Sequence, residues 1–148
     1  MRTPAVLYHF TSSRHLAEIK ASGSLSKGVM PNRLLSSGKP SFIRGFQWLT
    51  IDPEWSTQSW ADPMLSGLPY RKNEHRITIE FPNFALANLV SWEEFKMKVR
   101  PDSAPFLDSF RGHRHWWIYR GVIPCMWFAH EAQNPTPIFL PQLDQASQ

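Results

Sequence analysis

Tyr8-His9-Phe10-Thr11-Ser12-Ser13-Arg14-His15-Leu16-Ala17-Glu18-Ile19-Lys20-Ala21-Ser22-Gly23 is the stretch that decides how this chain folds. A short apolar strand over residues 5–10 delivers His9 to its end, and a hydroxyl-rich turn follows. Apolar residues then recur at Leu16 and Ile19, with Ala17 beside them, as in a short amphipathic helix over 15–21 that Gly23 stops. An imidazole and two hydroxyls at a strand end, beside a helix N-terminus, suit recognition of a sugar or a phosphate. The same residues also allow a plainer reading, with Ser12 or Ser13 as the helix cap and His9 as a hydrogen-bonded core histidine.

Outward from this stretch, residues 24–43 are rich in Ser, Gly, Pro and Lys and read as a long surface loop. Gly45-Phe46-Gln47-Trp48-Leu49-Thr50-Ile51 reads as a buried strand. Asp52-Pro53-Glu54-Trp55 has the residues of a helix start, and the helix is expected to run to Ala61. After a second loop over 64–73, Ile77, Ile79 and Phe81 alternate with Arg76, Thr78 and Glu80 in a half-buried strand that Pro82 ends. Short helices are expected over 84–89 and 91–99, the second opened by Ser91 with Glu93 and Glu94 in its first turn. Residues 101–112 form a loop or short helix. Residues 116–123 and 126–132 form two further strands, with the turn between them at Pro124. The order predicts an α+β chain with five or six strands.

The chain has 148 residues and is expected to form one domain over 1–148, with an irregular proline-rich tail from about 133. A hydrophobic share of 42% with 19% charged residues is ordinary for a globular protein. Seven tryptophans and ten phenylalanines make it aromatic-rich, and thirteen prolines against seven glycines favour stiff connections over long helices. A net charge of +4 favours an anionic ligand or target but is too small to imply nucleic acid by itself. No apolar run approaches the roughly 20 residues that cross a bilayer, so no membrane partner is expected. The apolar stretch after Met1-Arg2-Thr3-Pro4 is too short for a secretion signal, and the single cysteine, Cys125, excludes an internal disulfide. A cytoplasmic location is the expectation.

Taken in order, these landmarks resemble the ADP-ribosyltransferase superfamily. Its first motif, a strand with His followed by small hydroxyl residues, is similar to Tyr8-His9-Phe10-Thr11-Ser12. Its second, a glycine-started strand with an aromatic and then a hydroxyl-bearing helix with another aromatic, is similar to Gly45-Phe46-Gln47-Trp48-Leu49-Thr50-Ile51-Asp52 followed by Ser56-Thr57-Gln58-Ser59-Trp60-Ala61. Its third is a late strand usually entered through the catalytic Glu; here the strand is Trp116-Trp117-Ile118-Tyr119, and His115 stands where that Glu would be.

The resemblance implies a split, mixed β-sheet of five to six strands flanked by short helices, with NAD as substrate and no metal. It implies a nucleotide site formed by Tyr8, His9, Phe10, Thr11, Trp48, Thr50, Ser59 and Trp60, in which His9 hydrogen-bonds the ribose hydroxyls. Trp48 or Trp60 stacks on the nicotinamide. Thr11, Thr50 and Ser59 hold ribose, amide or phosphate oxygens, and Arg14 or Arg44 meets the diphosphate. The catalytic set would be His9 and His115 with Glu131, one strand later, supplying the missing carboxylate; Glu80 is an alternative. Superfamily phosphotransferases use Arg and His instead of Glu, and Arg114, His115 and Arg120 allow that variant.

The implied activity is transfer of ADP-ribose to a protein or nucleic-acid target, as in a toxin or a phage–host effector. The alternatives are a nucleotide- or partner-binding module that keeps the fold without the chemistry, and a basic, aromatic-rich protein that binds nucleic acid or protein without NAD. For the last, Arg111, His113, Arg114 and His115 are the candidate phosphate patch. His113 and His115 have no acidic or cysteine partner at ligand spacing, so no metal is expected there.

Overall fold

Strand β1 (Val6–Thr11) lies inside a six-stranded sheet, with Leu7 in the larger core. The structure, a computed structural model, describes residues 2–34, 36–38, 40–61 and 70–135, without the side chains of 31–34 and 40. The proline-rich tail expected from about 133 therefore lies almost wholly outside the described residues. The remaining strands are β2 (Ser24–Leu25), β3 (Val29–Leu34), β4 (Pro40–Arg44), β5 (Phe46–Thr50), β6 (His75–Glu80), β7 (Leu89–Ser91), β8 (Trp116–Arg120), β9 (Ile123–Pro124) and β10 (Phe128–Gln133). The main sheet has the order β10-β6-β1-β5-β8-β7. All its pairings are antiparallel, so the sheet is not the mixed one that the resemblance implies.

Helix α1 (Ser13–Ser22) covers one face. Its buried Leu16 and Ile19 join Leu7, Leu49, Ile77, Ile79, Trp117 and Tyr119 in the larger core. The opposite face packs Trp116 and Ile118 against Met30, Trp92 and Phe95, the last two carried by α2 (Trp92–Val99). Because β8 is covered on both faces, Trp116 through Tyr119 are all buried, which explains an apolar run without alternation. A short helix, α3 (Ala104–Leu107), closes the second core.

The helix signals hold where they are local. Ser12 caps α1, its hydroxyl accepting from the His15 N–H at 3.2 Å, and Gly23 ends the helix with φ +80°, its N–H donating to the Ile19 carbonyl. Ser91 caps α2 in the same way, accepting from the Glu94 N–H.

Two expectations fail for physical reasons. Residues 52–61 form turns and a single 3-10 turn, Ser59–Ala61, in place of a helix. The Asp52 carboxylate takes the Glu54 N–H at 3.0 Å and the Thr57 hydroxyl at 2.5 Å, so it closes a turn instead of capping a helix. Residues 24–43 are not one loop: β2 pairs with β9, while β3 and β4 form an antiparallel ribbon with a register shift between Pro31 and Leu34. Prolines at the start of β4 and within β3 are tolerated because these strands are edges.

Gly28 joins this ribbon to the sheet. A Cβ there would collide with the Phe46 carbonyl and with Oε1 of Gln47, which accepts the Gly28 N–H at 2.8 Å. Gln47 is fully buried and its Nε2 donates to the Gly121 carbonyl, so it ties two loops together. Gly28→Ala is expected to lower stability by about 1–3 kcal/mol, since backbone atoms cannot yield as side chains do. A urea titration reads this directly, and an unchanged midpoint would show that the ribbon shifts freely.

Candidate functional site

The sheet opens at one seam. β1 pairs with β6 at every position from Val6 to Thr11, and β5 pairs with β8 from Phe46 to Thr50. Between β1 and β5 the pairing is the single register Tyr8↔Thr50. Beyond that pair the strands part, and the His9 ring takes the place of a ladder bond: its Nδ1 lies 2.8 Å from the Trp48 carbonyl oxygen. A carbonyl only accepts, so Nδ1 carries the proton and Nε2 is left as an acceptor. Among the described residues Nε2 has no hydrogen-bond partner. Burial holds the pKa of His9 below the ordinary histidine value, the bond to Trp48 opposes this, and the nearby His15 adds to the lowering. The ring is therefore neutral at pH 7.

A cleft of about 610 Å³ opens at this seam, within the range that takes a small-molecule ligand. Its floor includes Tyr8, His9, Phe10 and Thr11 from β1, with Trp48 and Thr50 from β5. One wall is α1, which presents His15, Glu18 and Ser22, spaced three and four residues apart along a single helical face. The other wall includes Gln58, Trp60, Phe106, Phe110 and Trp116, and Lys72 also borders the cleft.

Seven of the sequence-derived nucleotide-site residues thus meet in one cleft: Tyr8, His9, Phe10, Thr11, Trp48, Thr50 and Trp60. Ser59 does not line it, although its neighbour Trp60 does. The two tryptophans differ. Trp48 is fixed in the core side of the wall, its ring 5.7 Å from Trp116 and 5.5 Å from Trp92, with Nε1 donating to the Val29 carbonyl. The Trp60 ring has no aromatic partner among the described residues, and its Nε1 is held by Gln58 Oε1 at 2.9 Å. Trp60 packs against the second core and lines the cleft.

The catalytic candidates other than His9 lie elsewhere. His115 is exposed at the end of a 3-10 turn, and its carbonyl accepts from the Ile51 N–H at 3.1 Å; it does not line the cleft. Glu131 sits on β10 in a separate shallow hollow with Cys125, paired with Lys20 at 2.8 Å. Glu80 stands opposite Val6, at the far end of β1 from His9. Neither Arg14 nor Arg44 lines the cleft. Cys125 in that hollow is pushed up in pKa by burial and by Glu131, with Lys20 opposing, so it is an unreactive thiol at pH 7. Glu131→Ala is expected to change stability by less than about 1 kcal/mol, because the ion pair is solvent-exposed, and to leave ligand binding in the cleft unchanged. Calorimetric titration of the variant checks the second half.

Several cleft residues carried no sequence signal strong enough to find them. His15 and Glu18 sit on the polar side of α1, where the default reading is a solvated face. Their i, i+3 spacing with Ser22 at i+7 was visible, but which wall faced a cleft was not. Among the described residues Glu18 is the one carboxylate that lines the cleft.

His113 and His115 do not act together. His113 Nδ1 lies 3.1 Å from Glu93 and 3.3 Å from Asp108, acidic partners that come from α2 and from the turn after α3. These three groups approach one another within 4.8 Å, a spacing that a cation could use. Lys96 already meets that charge, 2.7 Å from Glu93 and 2.8 Å from Asp108. Burial by itself would lower the Lys96 pKa, but the bonds to Asp108 and Glu93 raise it. Burial would raise that of Asp108, but Lys96 and the Trp92 indole lower it. The cluster is an ion-paired and hydrogen-bonded network that fastens α2 to the turn before β8.

No protein-family model, curated protein sequence or solved structure matches this chain. Among the described residues no helix is long and apolar enough to cross a membrane.

Proposed function

We propose that this chain is a small ADP-ribosyltransferase-like protein that binds NAD in the cleft at the β1–β5 seam. One observation carries the reading: a neutral His9, with Nδ1 committed to the Trp48 carbonyl, keeps Nε2 as an acceptor in a cleft that Thr11, Thr50 and Trp60 also line. An acceptor of that kind suits a ribose hydroxyl, which must donate. Thr50 Oγ1 accepts from the Asp52 N–H at 3.0 Å, leaving its own proton for a ligand oxygen. Trp60 would stack on a heteroaromatic ring.

In the proposed reaction the C1′–N bond of the nicotinamide ribose breaks and its electron pair leaves with nicotinamide. The acceptor's nucleophilic atom bonds to C1′ and gives up its proton. The developing cation needs a nearby negative charge, and Glu18, 3.9 Å from the Lys27 ammonium, is the carboxylate that lines the described part of the cleft. The acceptor would be a protein or a nucleic acid.

A second reading, nucleotide binding without turnover, is favoured by His115 and Glu131 both lying outside the cleft. Titration with NAD to millimolar concentration, followed by incubation of labelled NAD with protein and nucleic-acid targets, separates the two. Turnover that Glu18→Gln abolishes while NAD affinity stays within about threefold supports the first. Binding without turnover supports the second. No binding at millimolar NAD ends both.

A further inference from the structure

His15 sits in the first turn of α1 and lines the same cleft as His9. Its Nδ1 lies 2.8 Å from Ser12 Oγ, and that hydroxyl already accepts the His15 backbone N–H. Ser12 is fully buried, and among the described residues these are its side-chain partners. A buried hydroxyl proton needs an acceptor, and Nδ1 of His15 is the one in reach. The His15 proton is therefore on Nε2, the opposite tautomer to His9. Tyr70 packs edge-on against the ring at 6.0 Å and helps to fix its direction.

The two imidazoles thus present opposite chemistry to one cleft, an acceptor at His9 and a donor at His15. Two backbone N–H groups of the first turn are already committed: Glu74 Oε1 accepts from Ser13 N, and Ser12 Oγ from His15 N. Lys72, also at the cleft, adds positive charge.

We infer that His15 is a second ligand-binding residue of the cleft, donating from Nε2 to a phosphate oxygen of the nucleotide while His9 accepts from a ribose hydroxyl. This rests on the nucleotide reading above and extends it to the part of the ligand that carries negative charge. A donor in a cleft that Lys72 also lines favours an anionic oxygen over a neutral carbonyl.

The test compares NAD with nicotinamide riboside, which keeps the nicotinamide and the ribose and lacks the phosphates. By calorimetry, His15→Ala is expected to weaken NAD binding by about tenfold to a hundredfold, the loss of a charge-assisted hydrogen bond. Its affinity for nicotinamide riboside should stay within about twofold. His15→Gln, which keeps an N–H donor at a similar reach, should recover part of the NAD affinity. His15 is exposed, and thermal melts of both variants confirm that the fold is retained. If His15→Ala weakens both ligands equally, or neither, His15 is not a phosphate contact although the cleft still binds nucleotide. If the wild-type protein binds neither ligand, the nucleotide reading fails and this assignment fails with it.

Discussion

Replacing His9 with alanine is expected to weaken NAD binding by about tenfold to a hundredfold and to abolish any ADP-ribosyl transfer. The truncation removes the neutral acceptor and also strips the Trp48 carbonyl of its donor. That carbonyl sits where β1 and β5 have parted, so no strand amide replaces the imidazole. Stability should fall as well, by about 1–3 kcal/mol for the orphaned acceptor. Comparing urea melts with titrations separates the two losses, because His9→Gln can still donate to Trp48 and should restore stability more than binding.

The pH dependence follows from the same geometry. Burial lowers the folded-state pKa of His9, so below the ordinary value of about 6.5 the unfolded chain binds a proton that the folded chain refuses. The stability contribution is complete above that value and declines as pH falls below it, levelling once the folded-state pKa is passed. Protonation also converts Nε2 from acceptor to donor, so ligand affinity should drop in acid. A stability slope below pH 6.5 that persists unchanged in His9→Gln would assign the effect to another group.

Trp92→Ala should have the largest effect on the fold, about 3–5 kcal/mol. The side chain is fully buried, stacked near Phe95 at 6.1 Å and packed against Trp48 at 5.5 Å and Trp116 at 6.3 Å. Its Nε1–H donates to Asp108 Oδ1 at 2.7 Å, so alanine leaves both a cavity and a half-buried carboxylate with one partner fewer. Against a typical domain stability of about 5–15 kcal/mol, such a loss lowers the melting temperature by about 10 °C or more. Trp92→Phe keeps most of the packing and loses the hydrogen bond, so it should cost about 1–2 kcal/mol. A melt of Trp92→Ala within about 3 °C of wild type would mean that the second core carries little of the stability. Because Trp48 and Trp116 both line the cleft, Trp92→Ala should also loosen that wall, read as weaker NAD binding at temperatures where the variant is still folded.

The features legible in the sequence are those whose hydrogen bonds close within a few residues. Ser12 and Gly23 bound α1, Ser91 starts α2, and the alternation of Ile77 and Ile79 marks β6. Asp52 shows where that reasoning stops. Its sequence context is that of a helix cap, yet its carboxylate spends both oxygens on Glu54 and Thr57 and makes a turn. The edge strands of residues 24–44 were hidden because Ser24 pairs with Pro124 and Val29 with Arg44, contacts that leave no periodic trace.

The candidate site divides in the same way. The sequence placed His9 towards the end of a strand, a local property of residue type and pattern, while Trp48, Thr50 and Trp60 came as companions only through the resemblance to the ADP-ribosyltransferase superfamily. Only the tertiary structure decided that His9 fills an open seam by bonding a carbonyl 39 residues away, and so which of its nitrogens is left as an acceptor. It likewise turned His15 and Glu18 toward the cleft, and set His115 and Glu131 outside it. Proton position and cleft geometry depend on where distant backbone groups come to lie, and that is fixed by packing across the sheet.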